Sequence, residues 1–306
     1  MNFDKAATME DFGNGVWCVT QLCRGKPRPP SADTSLVIWA FVNGMGKLIS
    51  ENHTGSEDVI KNMLWTFSYL SDGDQQEIEM VMSSGVTASL TKLCKNPQFH
   101  CLPLIKTFAN FASGSNSQKQ AVLDSGIMDY MGGFLGASSR HIRKEAHHFL
   151  SKIAQGDPRQ AACIAHNSVI MKYIVAAANN EAMLIRKEAL WTLIHVCTGL
   201  RPRIVQLIND GGLPPLVDIL KLDSEPDLVL GALDAITAIL KDGVSRPGEG
   251  YVQLLENCDG VLAIEALQDH ESNEIYEKAL NIVKEFLGGE EEDENLAPAI
   301  GGDGTF

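Results

Sequence analysis

Three of the four tryptophans are followed, four residues later, by a side chain that can hydrogen-bond or stack. The pairs are Trp17 with Gln21, Trp65 with Tyr69, and Trp191 with His195. Side chains four residues apart share one face of a helix. An indole there can attract the charged head of a Lys or Arg and pack on its stem, and a neighbouring amide can bond the backbone of an extended peptide. The alternative is that these tryptophans pack between helices.

Two further pairs occupy equivalent positions in the chain, Lys106 with Asn110 and His148 with Lys152. We call the ten residues of these five pairs the rung residues. Acidic residues stand one turn before two of the pairs, Glu145 before His148 and Glu188 before Trp191. The spacing predicts that these carboxylates receive the ammonium ends of bound Lys side chains.

The sequence contains internal repeats of slightly more than forty residues. The pentapeptide Ile-Arg-Lys-Glu-Ala occurs at Ile142–Ala146 and again at Ile185–Ala189. An apolar helical segment follows each copy, and similar segments align upstream and downstream. Small turn-forming residues mark the same period. They are Gly85, Gly126, Asn167, Gly211 and, after a longer loop, Gly260. Two independent markers at one period indicate a repeat architecture.

Within each repeat the apolar residues recur at helical spacing, and no segment alternates as a strand does. Repeats of this length with two or three helices are typical of armadillo and HEAT proteins. We therefore predict an all-α, armadillo-repeat, right-handed superhelical solenoid. Its predicted parts are the final helix of a partial repeat in 1–25, a proline-rich loop at 26–34, about six repeats in 35–288, and a disordered acidic tail at 289–306.

Composition restricts the class of partner. The 306-residue chain has a formal net charge of −14, and one acidic run lies at Glu290–Glu294. An acidic surface repels nucleic acid and anionic lipid and suits basic partners. Seven cysteines without a CxxC pair, and no apolar stretch long enough for a signal peptide or membrane span, predict a soluble intracellular protein.

Catalytic and metal chemistry is disfavoured by the residue pattern. His141, Glu145 and His148 share a helix face, but no Cys or Asp completes a tetrahedral zinc set at the usual spacing. No cysteine is marked as an activated nucleophile, and no glycine-rich phosphate loop stands between a strand and a helix. We expect no enzyme activity, no metal and no cofactor.

Several segments, taken in order, resemble importin alpha, the adaptor that binds nuclear localisation signals. They are WCVTQLCRGKPRPP at 17–30, LWTFSYLSDG at 64–73, KEALWTL at 187–193, LQDHESNEIYEKAL at 267–280 and the acidic run after it. The resemblance implies armadillo repeats whose rungs pair a Trp with an Asn four residues on. It implies two sites for basic extended peptides and residence in both cytoplasm and nucleus. It also implies that the last repeat docks the nuclear export receptor.

The departures from that family pattern are specific. The family's basic N-terminal arm, which binds importin beta, has no counterpart, because Lys5 is the only basic residue among the first 16. Without that arm, importin beta is not expected as a partner through this N-terminus. The early repeats, which form most of the family's larger peptide site, are absent as well. Asn110, Glu145, Glu188 and Trp191 agree with the family pattern, whereas Gln21, His148, Lys152 and His195 depart from it. The chain resembles a shortened, divergent importin alpha or a fragment of one.

The leading hypothesis is a nuclear import adaptor that binds Lys/Arg-rich localisation signals of cargo proteins along a Trp-lined concave groove. Its groove residues are the ten rung residues together with Glu145 and Glu188. The alternative is an armadillo scaffold that holds another protein but has lost localisation-signal binding. Saturable, salt-sensitive binding of a basic peptide distinguishes the first hypothesis from the second.

Overall fold

The computed structural model describes residues 8–27, 29–51, 56–199, 204–222, 225–245 and 250–288. All regular structure in these ranges is helical, which confirms the prediction of an all-α fold. The α-helices are α1 Met9–Arg24, α2 Ser31–Glu51, α3 Glu57–Leu70, α4 Gln75–Met82, α5 Val86–Leu93, α6 Leu102–Ala112, α7 Asn116–Asp124, α8 Met131–Leu135, α9 Arg140–Ala154, α10 Pro158–Ala165, α11 Ser168–Asn180, α12 Met183–Gly199, α13 Ile204–Asn209, α14 Leu213–Ile219, α15 Pro226–Val244, α16 Tyr251–Glu256, α17 Gly260–Ala266 and α18 Asn273–Ile282. Short 3₁₀ turns lie at Pro97–Phe99, Ile127–Tyr130 and Leu267–Asp269, and a π-helical turn lies at Val283–Leu287.

The chain forms two compact units, Met1–Pro215 and Leu216–Phe306. In the first unit five helices pack one against the next in chain order, namely α1, α3, α6, α9 and α12. We call these five the ladder helices. Other helices connect them, and each ladder helix after α3 packs against connecting helices of its own repeat or the next. The rung residues all lie on the ladder helices.

Local sequence signals explain where the short helices begin and turn. A side chain at the N-cap and an acid or amide at N3 bond each other's backbone N–H groups in three successive repeats. These capping boxes pair Asp74 with Glu77, Ser115 with Gln118, and Asp157 with Gln160. After the first two of these helices the chain turns at Gly85 and Gly126, whose φ angles of 77° and 81° are left-handed and favour glycine. At the next turn Asn167 instead caps α11 through its side chain.

The core of the first unit repeats with the sequence. The residue two positions after the first rung residue is fully buried on each of four successive ladder helices. These residues are Phe67, Phe108, Leu150 and Leu193. Burying one such side chain contributes roughly 1.5–3 kcal/mol. The repeated apolar position therefore holds each ladder helix against its neighbours and fixes which face stays accessible.

The proline-rich loop predicted at 26–34 is shorter than expected, because α2 already begins at Ser31. Pro29 and Pro30 stand before the first turn, where a residue without an N–H group costs nothing. Their carbonyl groups accept hydrogen bonds from the Thr34 hydroxyl, at 3.2 Å, and from the Thr34 backbone N–H, at 2.9 Å. The partial-repeat helix is α1, capped by Thr8. The predicted acidic tail at 289–306 lies outside the described residues.

In the second unit, α15 packs against α16 and α18, and α17 packs against α18. The Lys278 ammonium lies 2.6 Å from the Asp234 carboxylate and joins α18 to α15. In the ranges given above, no single helix is long and apolar enough to cross a membrane. The bent pair α10 and α11, at 86°, passes a length and composition test only when the two are taken together.

Candidate functional site

The rung residues occupy the accessible stripe of helices that are otherwise buried. From Pro103 to Ala112 on α6, every position is buried except Lys106 and Asn110. On α3, Trp65 and Tyr69 are half-buried, and the residues directly beside them are buried. The two rung pairs of α9 and α12 are likewise half-buried among buried neighbours. On α1 both rung residues are exposed, and the Trp17 side chain is 53% accessible. The three indoles therefore lie outside the apolar core.

Two of the tryptophans stack on the ring four residues later. The Trp65 and Tyr69 rings lie 5.5 Å apart between centroids at an angle of 21°, and the Trp191 and His195 rings lie 5.8 Å apart at 22°. Each stack rigidifies an indole and covers one of its faces. A cation that binds there is therefore restricted to the other face or to the ring edge.

Asn110 uses its amide differently from the expectation that it bonds only a peptide. Its NH₂ group donates to the Ser68 carbonyl oxygen at 2.9 Å and to the Ser71 hydroxyl at 3.1 Å. The bonds tie α6 to the end of α3 and fix the orientation of the amide. The amide oxygen accepts no bond from the described part of the chain. It therefore retains its capacity to accept a hydrogen bond from a peptide N–H.

Glu188 is held by the preceding ladder helix. Its carboxylate accepts a hydrogen bond of 2.9 Å from the Ser151 hydroxyl, and its other oxygen lies 3.1 Å from Nδ1 of His148. That second approach is a close polar contact in which Nδ1 makes no directed hydrogen bond. Burial acts to raise the pKa of Glu188, but the contacts with His148 and Ser151 and the charge of Lys144 lower it overall. Glu188 is thus an anion that already has partners.

The other acids beside the rungs also have cationic neighbours. Glu145 lies 3.3 Å from the ammonium group of Lys144, and Asp72 lies 3.9 Å from that of Lys106. A bound cationic side chain would share these carboxylates with the protein's own lysines. The attraction of Glu145 and Glu188 for a bound Lys side chain is therefore weaker than the sequence alone predicts, because each carboxylate already contacts a basic side chain of the protein.

The His148 rung carries positive charge from more than one helix. The charge of Lys152 acts on Lys119, from α7, and on His195, from α12. Burial first, and the Lys152 charge second, lower the pKa of both groups. Lys119 is 7% exposed, and its ammonium group donates to the Gly114 carbonyl at 3.1 Å. Sequence reasoning missed Lys119, which lies outside the Trp-centred frame. Its position next to the capping residue Gln118 is the only signal that could have found it.

Buried histidine and cysteine side chains bear on metal and nucleophilic chemistry. His147 is buried, whereas His141 is exposed, and burial lowers the pKa of His147 to about 4. No group of three or more metal-ligating side chains occurs among the residues that the structure describes. Burial raises the pKa of the Cys94 and Cys197 thiols to about 12, which disfavours the nucleophilic thiolate.

Comparison with known proteins finds two kinds of similarity. Residues 249–299 match the family model described as an atypical Arm repeat. Over 295 residues the chain is 30% identical to importin subunit alpha-1b of Oryza sativa subsp. japonica, covering 94% of this chain and 54% of that protein. It is 31% identical over 292 residues to importin subunit alpha-4 of Arabidopsis thaliana, covering 92% and 53%. The chain spans about half the length of these curated relatives.

Solved structures of designed armadillo repeat proteins share the fold. One has a TM-score of 0.66 at 21% identity and covers 81% of this chain and 98% of its own. Another, solved in complex with the peptide (KR)4, has a TM-score of 0.63 at 23% identity, covering 78% and 97%. At such identities the likeness establishes the armadillo fold alone.

Proposed function

This chain is a divergent relative of the importin alpha subunits, and we propose that it is an adaptor that binds Lys/Arg-rich extended peptides of other proteins along its rung residues. The bound segments in this proposal are nuclear localisation signals of cargo proteins. The function is binding rather than catalysis. The chain spans about half of its relatives' length, so a function that belongs to those proteins as a whole is proposed for this chain and is not established by the similarity.

The observation that carries the proposal is the accessible position of Trp65 and Trp191 on two ladder helices of the same unit. Both indoles are ordered by a stacked ring, and the Asn110 amide between them is oriented by the end of α3. Together they offer two places for cationic side chains and a fixed acceptor for a peptide backbone between them. An extended segment of alternating basic residues suits that arrangement.

The designed armadillo repeat protein solved with (KR)4 supports the class of ligand, because a surface of the same fold accommodates a peptide of Lys and Arg. We further propose that the chain moves between cytoplasm and nucleus with its cargo. The atypical repeat at 249–299 is the proposed docking place for a nuclear export receptor. Importin beta is not a proposed partner of residues 1–16, since they carry one basic residue.

One observation favours the alternative, an armadillo scaffold without localisation-signal binding. Lys152 stands in the middle of the rung residues, with the charge of Lys119 beside it. A uniformly basic peptide that crosses this rung meets like charge, which weakens its binding. Under this alternative another protein surface binds the chain, and basic peptides do not saturate it.

A labelled Lys-rich peptide titrated by fluorescence anisotropy tests the proposal. We expect saturable binding that weakens as salt is raised, because the attraction is electrostatic and largely exposed. Trp191→Ala should weaken binding by about three- to tenfold, the value of one cation–π and stem contact. Trp39→Ala is the matched control, since Trp39 is 64% exposed on α2 but is not a rung residue. Equal effects of the two substitutions, or no saturable binding, would refute the proposal in favour of the scaffold.

A further inference from the structure

Three described acids beside the rungs each have a basic side chain of the protein close by, whereas Lys152 has no carboxylate partner among the described residues. The acid–base pairs are Asp72 with Lys106, Glu145 with Lys144, and Glu188 with His148. Within the described ranges, no carboxylate lies at ion-pair distance from the Lys152 ammonium. Lys152 thus brings an uncompensated positive charge to the middle of the ladder.

The surroundings of Lys152 strengthen this charge. Lys119 is almost completely buried, yet its ammonium group is bonded to the Gly114 carbonyl and not to an acid. The charges of Lys119, on α7, and Lys152 act on each other, and the next ladder helix, α12, packs against α9. The charge of Lys119 adds to the positive potential at Lys152, and the burial of Lys119 reduces the screening of its charge by solvent.

We propose that Lys152, which is accessible on α9 and has no counterion among the described residues, binds an anionic side chain of the peptide ligand. The favoured ligand is then an extended segment of mixed charge, with basic residues on the Trp65 and Trp191 sides and an acidic residue between them. This inference rests on the proposed function, because it concerns the same rung residues. It assigns Lys152 as a residue that determines specificity. The same charge that repels a Lys of the peptide would attract a carboxylate at that position.

The geometry sets the approximate register of such a ligand. Packed helices lie about 8–10 Å apart, and an extended chain advances about 3.3 Å per residue. Two to three peptide residues therefore pass each ladder helix. The acidic residue should lie roughly five or six residues from the Lys or Arg bound at Trp65. It should lie roughly two or three residues, in the other direction along the peptide, from the one bound at Trp191. The carboxylate of Asp or Glu meets the requirement, and a phosphorylated serine supplies the same chemistry with more charge.

A peptide series tests the inference with the full chain. The parent is a labelled twelve-residue design with Lys at both ends, and one central position at a time carries Glu, Ala or Lys, each titrated by anisotropy. We expect at least one position where Glu binds more tightly than Ala, and Ala more tightly than Lys. Each step should be about three- to fivefold, the value of a partly exposed ion pair. Phosphoserine at that position should bind at least as tightly as Glu, and raised salt should reduce the differences.

Substitutions locate the contact. Lys152→Glu should reverse the order at that position, so that Lys binds more tightly than Ala and Ala more tightly than Glu. Lys172→Glu, at an exposed lysine of α11, should leave the order unchanged. Lys152→Gln, which should remove the preference without introducing charge, gives a second reading if the reversed charge disturbs folding, as judged by thermal unfolding.

The outcomes separate the inference from the proposed function. If the peptides bind but Glu is weaker than Ala at every position, the inference is wrong and the proposed function stands. A preference for Glu that survives Lys152→Gln overturns the assignment of Lys152. If no peptide in the series binds, the inference and the proposed function fail together.

Discussion

Replacing Asn110 by Ala tests how the rung residues are built into the fold. The substitution removes two hydrogen bonds, to the Ser68 carbonyl at 2.9 Å and to the Ser71 hydroxyl at 3.1 Å, that connect α6 to α3. Ser68 and Ser71 are both buried, so water replaces the lost amide poorly. At roughly 0.5–1.5 kcal/mol for each bond, the free energy of unfolding should fall by about 2 kcal/mol.

Thermal and urea unfolding followed by circular dichroism measure this loss. For a unit of some two hundred residues, about 2 kcal/mol corresponds to a Tm lower by roughly 4–8 °C. Asn180→Ala is the matched control. Its amide donates only to the Ala176 carbonyl of its own helix at 3.0 Å and is exposed, so its loss should leave Tm nearly unchanged. Equal Tm values for Asn110→Ala and Asn180→Ala would refute the structural role of Asn110.

Further predictions concern charge, pH and the second unit. Lys152→Asn should raise the affinity for a uniformly Lys-rich peptide by about tenfold or less, because it removes a like charge from a partly screened surface. Calorimetry measures this affinity, with Lys172→Asn as the control. Unchanged binding would show that peptides do not pass the His148 rung. Since burial lowers the pKa of His147 from 6.5 to about 4, the unfolded chain binds a proton in that interval that the folded chain does not. The unfolding free energy should therefore fall as pH drops from about 6.5 to about 4, by up to about 3 kcal/mol, and His147→Leu should flatten this dependence in urea titrations. Lys278→Ala, which removes the 2.6 Å contact with exposed Asp234, should cost no more than about 1 kcal/mol in urea unfolding; a larger loss would mean that this pair holds α18 on α15.

The helical repeat could be predicted from the sequence because its signals are local and periodic. Apolar residues at helical spacing and the repeated pentapeptide both depend on neighbours within one helix. The accessible stripe followed for the same reason, since a spacing of four residues decides which side chains share a face. The start of α2 was placed too late because prolines indicate a loop as well as the first turn of a helix.

The partners of the rung residues could not be predicted in the same way. The contact of Glu188 with Ser151 joins residues 37 positions apart and depends on how two ladder helices pack. The effect of the Lys152 charge on the pKa of Lys119 connects α9 with a buried residue of α7, which lies outside the Trp-centred frame.

The most direct test of the central claim is a crystal structure of this chain with a bound Lys/Arg-rich peptide. The account predicts an extended peptide across the ladder helices, with basic side chains against the Trp65 and Trp191 indoles and a backbone N–H donating to the Asn110 amide oxygen. A peptide bound elsewhere, for example against Trp39 on α2, with both indoles left uncovered, would contradict it.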